Sequence, residues 1–268
     1  MNEAEIKIHC HDEYIVEDYI YNIDKNMMEK YALEFLGSVS NLNLEKLTDI
    51  YFTSNYLDDI AKFNNNHGLN LEVTQNEYGT GSAYVAGYLK NGEVKSVAFF
   101  NSSISFLFYS IYAHPGAIEA KICNNVLNCR SNELVDIHDE NIFLKHAMHL
   151  DNESMNIYRS AFNLWAEYYA HLEAGIKYPY TNFENIKSNL IQNINLLNMG
   201  ENIPSGVLMI CRNIGDLHSI NKSTLDIGDL DNFYHDLDKV LKTLVNKYPN
   251  WEDIKQLDEL IVLLNSKF

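Results

Sequence analysis

Proline is scarce in this chain, with four in 268 residues, and glycine is modest at twelve. That composition excludes collagen-like, repeat and low-complexity architectures and describes a chain rich in regular structure. The four cysteines, Cys10, Cys123, Cys129 and Cys211, form no CxxC pair, and Cys123 and Cys129 stand six apart in what reads as one helix. A disulfide scaffold is not expected there. No run of about 18 apolar residues occurs, and the start MNEAEIKIHCHDEYI has neither a basic leader nor an apolar stretch. No membrane span is expected, and a cytoplasmic location with reduced thiols is the default expectation. Basic residues are also few: 20 against 37 acidic ones, a formal charge of −17. Such a field repels nucleic-acid backbones and acidic membrane surfaces, so no direct nucleic-acid or membrane partner is expected. It would attract a basic protein, although many ordinary soluble proteins are simply acidic.

What is present is core material. Hydrophobic residues make up 46% and aromatics 12%, enough at this length to fill a sizeable interior. The first hundred residues mix short strands and helices. IKIHC (6–10), TDIYFT (48–53), LNLEVTQ (69–75), SAYVAGYLK (82–90) and VKSVAFFN (94–101) read as strands. The last two are joined by Asn91-Gly92, a strong hairpin signal. Residues 16–39 have helical apolar spacing, and 54–63 form a second helix with Ser54 as its cap. Near residue 101 the strand signals stop. Helices are expected over 103–112, 116–142, 155–176, 182–198, 204–219, 230–248 and 252–266. The expected class is α+β: a small mixed sheet with helices, then a predominantly helical part.

The stretch SNELVDIHDE (131–140) carries the most specific chemistry. In the zinc-peptidase pattern HExxH, two histidines one turn apart bind the metal while the glutamate polarises the attacking water. Here Glu133 stands at the glutamate position, but Asn132 and Asp136 replace both histidines. A neutral amide is a poor zinc ligand, whereas Asp136 still offers a carboxylate oxygen. On a helix Asn132, Asp136 and Asp139 share one face, and His138 points away from it. The other account of this stretch is a solvated acidic helix surface.

A second helix contributes a stripe of Tyr158, Phe162, Trp165, Tyr169, Leu172 and Ile176, which must meet a core. Its other face sets Ser160, Asn163, Glu167, Ala170, His171 and Ala174. Small residues around a glutamate and a histidine admit a close helix neighbour, so this face is expected to be covered. A covered Glu167 needs a partner: a metal, a hydrogen bond, His171 as imidazolium, or its own proton.

With SNELVDIHDE and WAEYYA (165–170) in hand, the chain resembles a family of bacterial zincin-like metallopeptidase-related proteins. In that family an HELxHxHD-type helix is followed about 30 residues on by a W-x-E-Y-x-A helix that supplies a third, carboxylate ligand. VAFFNSSI (97–104) resembles the edge-strand region before the active-site helix, and the likeness runs from 48 to 176. It implies a zincin-like α+β domain over 1–180 and a helical part over 181–268 packed on it. It makes Glu133 a vestigial general base, and Asn132, Asp136 and Glu167 vestigial ligand positions, with Asp139 a further candidate. Those positions are expected to be empty. Were they filled, oxygen donors of this kind suit calcium, magnesium or manganese over zinc.

Three function classes follow: a catalytically degenerate zincin-like homologue (a pseudoenzyme) that binds protein; an acidic inhibitor or decoy of a nucleic-acid-binding enzyme; and a hydrolase with a carboxylate-rich metal site. The first leads. Other features have plainer accounts. His9-Cys10-His11 reads as two surface histidines beside an inward cysteine, and His146 and His149 as exposed residues of a connection. Gly79-Thr80-Gly81-Ser82 reads as a turn, because no lysine or helix follows it. Asp226, Asp229 and Asp231 lack the glycine and glutamate of a calcium loop.

Overall fold

A computed structural model describes residues 6–40, 42, 44–70, 75–76, 79–80, 83–112, 118–138, 150–179, 182–200, 203–248 and 250–268, with side chains at 75–76, 79–80, 111–112 and 129–138 left out. The chain packs as two compact units, Met1–Leu134 and Val135–Phe268. This division lies inside a helix, whereas the boundary expected at 180/181 lies between two helices.

In the first unit, strands β1 (Lys7–Cys10), β4 (Leu47–Phe52), β8 (Glu93–Phe100) and β7 (Ala83–Lys90) form one sheet in that spatial order. β1, β4 and β8 are parallel, and β7 runs antiparallel to β8. The carboxyl half of β8, Ser96 to Phe100, is buried at every position, which requires cover on both faces. Helix α2 (Tyr56–His67) supplies one side: Tyr56, Ile60 and Phe63 pack with Ala86, Tyr88, Val97 and Phe99. On the other, Phe52 stacks on Phe100 and on Phe108 of α3 (Ser102–Tyr112), and Phe108 meets Phe35 of α1 (Lys25–Ser38) edge-on. The expected switch from strand to helix near 101 is found.

The β7–β8 hairpin turns at Asn91 (φ 56°) and Gly92 (φ 83°), the left-handed pair that a tight two-residue turn demands. Gly92→Ala is therefore expected to lower the stability of this unit by about 1 kcal/mol, read as a lower urea midpoint with unchanged slope.

One expected element is corrected. Residues 16–39 are not a single helix: a hairpin of β2 (Glu13–Val16) and β3 (Tyr19–Asn22) precedes α1. Apolar residues at 14, 15, 16, 19, 20 and 21 satisfy a helical and a strand pattern alike. The left-handed turn at Glu17 (φ 49°) and Asp18 (φ 67°), with Asp24 accepting from the Asn26 and Met27 amides as the helix cap, decides for the hairpin. The cap of α2 is Asn55, not Ser54, and most of the expected strand at 69–75 lies outside the described residues, which hold only the short pair β5 (Gln75–Asn76) and β6 (Gly79–Thr80).

Helix α4 (Ile118–His138) spans the unit boundary. The second unit holds α5 (Asn152–Lys177), α6 (Phe183–Asn198), α7 (Ile203–Ser219), α8 (Asn232–Lys247) and α9 (Asp258–Lys267), with 3-10 turns at Thr224–Asp226 and Ile254–Leu257. α5 packs along α7, and α7 along α6. The apolar stripe of α5 buries Phe162 and Trp165, with Trp165 against Tyr169, Tyr248 and Trp251, but Ile176 near its end is exposed. Phe233, Leu237, Val240, Leu241 and Leu244 of α8 are buried as their spacing requires. Asp226 closes a capping box with Ser223, and Asp231 caps α8 and pairs with Lys267, so both carboxylates serve local structure. Among the described residues no helix is long and apolar enough to cross a membrane.

Candidate functional site

Asn132, Glu133 and Asp136 lie on α4, where only the backbone is described, and Asp139, His146 and His149 lie outside the described residues. Glu167 is described. It sits midway along α5, on the face covered by α7, and its Oε2 accepts a hydrogen bond from Arg212 Nε at 2.9 Å. Its side chain is 15% exposed and that of Arg212 33%, so the pair is partly screened from water. Of the four partners open to Glu167, the structure supplies a hydrogen bond, here from a guanidinium.

The covered face carries more. One turn on, His171 Nδ1 lies 3.2 Å from Asp216 Oδ1, and so the histidine turns to α7 instead of to Glu167. Tyr168, fully buried, lies 2.8 Å from His218 Nδ1; His218 Nε2 lies 2.9 Å from Asp238 Oδ1; and Asp238 Oδ2 accepts from the Thr224 amide at 2.7 Å. Burial would push the Asp238 carboxyl up, but the bonds from His218 and Thr224 hold it below its ordinary value. An ionised Asp238 accepts a hydrogen bond from Nε2–H, and in that tautomer Nδ1 accepts from the tyrosine hydroxyl. Burial raises the Tyr168 pKa, so that hydroxyl stays a donor. The chain Tyr168–His218–Asp238 resembles acid-base machinery, yet His218 and Asp238 are 7% and 9% exposed at their side chains and each of their polar atoms has a partner within the protein. It ties α5, α7, α8 and the turn at 224 together.

Small residues make this approach possible. Ala170 and Ala174 are fully buried, as the spacing on α5 led one to expect. On α7 the close point is Gly215, where a Cβ would stand 2.4 Å from the Tyr168 carbonyl oxygen.

In the first unit His9 and His11 face the α2 side of the sheet. His9 Nε2 lies 2.8 Å from Asp49 and stacks on Tyr51, and His11 Nε2 lies 2.7 Å from Asp59. Cys10 looks the other way, toward charges on α1, and burial raises its thiol to about 12. It is thus no nucleophile near neutral pH. Burial also raises the thiols of Cys123 and Cys211. These His–Asp pairs were not foreseen: His9 and His11 read as surface residues, and the only signal was the carboxylates of TDIYFTSNYLDD, 40 and 48 residues away. Among the described residues, no group of three or more His, Cys, Asp and Glu side chains is arranged to hold a metal.

The described histidine side chains thus have partners at hand, the described cysteines are held protonated, and Glu167 is ion-paired. No protein-family model, curated protein or solved structure matches the chain.

Proposed function

We propose that this chain is a catalytically degenerate zincin-like homologue that works by binding another protein. The observation that carries the reading is the Glu167–Arg212 ion pair: the carboxylate that the resemblance makes a third ligand is committed to a guanidinium at 2.9 Å. The replacement of both imidazoles of the pattern by Asn132 and Asp136 supports it from the sequence. Asp136 and Asp139 then serve as acidic surface or as relics of a site. A strongly acidic chain further favours a partner of basic character.

Elemental analysis after exhaustive dialysis tests the reading, together with a peptidase assay on the parent protein and on Glu133→Gln. The expected result is substoichiometric metal and no hydrolysis that depends on Glu133. Zinc held at one equivalent with Glu133-dependent cleavage would overturn it. Arg212→Ala is expected to lower the urea stability of the second unit by about 1 kcal/mol, since the half-buried carboxylate loses its charged donor. A stabilised Arg212→Ala protein that gains a bound divalent ion would show instead that the guanidinium blocks a working site.

A further inference from the structure

The β2–β3 hairpin is anchored on one face and open on the other. Tyr14, fully buried, donates to the Phe52 carbonyl at 2.8 Å, Tyr21 stacks on Phe106 at 4.1 Å, and Ser102 Oγ donates to the Ile15 carbonyl at 2.6 Å. Those contacts fix the hairpin on its sheet-facing side. Register places Ile15 opposite Ile20 and Glu13 opposite Asn22 on the outward side. Ile15 is 55% exposed and Ile20 63%, with Tyr19 beside the turn at 69%. Strand propensity alone would be met by threonine at both positions, so an adjacent isoleucine pair in water calls for a further account.

Charge selects what covers it. From Asp12 to Asp24 there are five carboxylates and no basic residue. Asp12 pairs with Lys25, and Asp24 caps α1. Glu13 beside Ile15, and Glu17 and Asp18 at the turn, remain as an exposed acidic rim around the isoleucines. A second copy of the chain would set this rim against itself, with −17 on each molecule, and a nucleic acid or an anionic bilayer would be repelled likewise. A protein segment alternating Lys or Arg with aliphatic residues matches both the apolar pair and the rim.

We propose that the outward face of the β2–β3 hairpin docks such a basic amphipathic segment of another protein. This rests on the reading that the chain acts by protein binding and names the surface and the partner chemistry.

The probe is a fluorescein-labelled hairpin peptide of alternating Arg and Val, followed by anisotropy on the full chain. The expected result is saturable binding that weakens with salt and is absent for the matching Glu/Val peptide. Ile15→Thr/Ile20→Thr, which keeps strand propensity, is expected to weaken it about tenfold or more, and Glu13→Lys/Glu17→Lys similarly. Met199→Ser, at an exposed residue of the second unit, leaves it unchanged. No binding, or equal binding by parent and hairpin variants, overturns the proposal. So does sedimentation showing a parent dimer that the isoleucine variant loses, since a second copy is then the occupant. Failure here leaves the metal and Glu133 results standing, and a zinc-dependent peptidase would sink the parent reading whatever the peptide does.

Discussion

Gly215→Val is expected to lower the stability of the second unit by about 3 kcal/mol, and Gly215→Ala by somewhat less. A Cβ at this position meets the Tyr168 carbonyl oxygen at 2.4 Å, the His171 Cβ at 2.9 Å and the Leu172 amide nitrogen at 3.1 Å. Two of those three atoms are backbone of α5, so no rotamer change relieves them and the helices must separate. Separation stretches the bonds that cross the same interface within a turn of Gly215: Glu167 to Arg212, His171 to Asp216 and Tyr168 to His218. Gly206, in the same helix, is the control. The three atoms nearest to its added Cβ belong to the Leu197 side chain, the first at 3.0 Å, and the higher helix propensity of alanine offsets that contact. Calorimetry should show a melting point about 10 °C lower for Gly215→Val and little change for Gly206→Ala. Equal melting points for the two variants would mean that α5 and α7 do not approach as closely as described.

How this interface was and was not legible is instructive. That one face of α5 would be covered could be read from Ala170 and Ala174 around Glu167 and His171, because small residues one turn apart are a local signal. That Arg212 and Asp216 would meet it could not: each lies 45 residues from its partner, and no pattern within α5 encodes a helix that arrives later in the chain. The His9–Asp49 and His11–Asp59 pairs were hidden for the same reason, since they depend on the parallel register of β1 with β4 and on the placement of α2.

Turn chemistry behaved differently. Asn91-Gly92 announced its hairpin because both residues tolerate the left-handed region, whereas Glu17-Asp18 adopts similar angles without that signature. The helical reading of 16–39 absorbed the β2–β3 hairpin for want of it, and the cap at Asp24 was the available clue. The corrected segment is the one that presents Ile15 and Ile20, so an error of secondary structure concealed an exposed cross-strand apolar pair of the first unit. The α4 stretch carrying Asn132, Glu133 and Asp136 is helical as expected, and the resemblance built on it stands as a proposal.

The second large effect concerns His218. Replacing it with leucine leaves Asp238, 6% exposed, with Thr224 as its remaining donor, and leaves the buried Tyr168 hydroxyl without the imidazole acceptor. Removing the donor of a buried carboxylate costs about 3 kcal/mol, because the charge stays desolvated and loses a hydrogen bond. Asp238→Asn should cost less, about 1–2 kcal/mol, since an amide oxygen still accepts from Thr224. The pH dependence separates the two. In the parent, burial opposes ionisation of Asp238 but its hydrogen bonds win, so the folded carboxyl titrates below the unfolded value of about 4. Its contribution is fully present above about pH 4 and is lost as pH falls through the folded value. Asp49 and Asp59, likewise depressed by their histidine partners against burial, add to the same acid limb. Asp238→Asn removes one of these contributions and should flatten that limb. His218→Leu should reverse it for Asp238, because a carboxylate stranded in an apolar site is pushed up and protonation relieves it, so the gap between parent and variant starts to narrow above about pH 4 and closes further below it as the parent loses its own contribution. Urea titrations between about pH 3 and 7 read all three. A gap that stays constant across that range would show that Asp238 is not held ionised by His218 and that the buried chain contributes through packing alone.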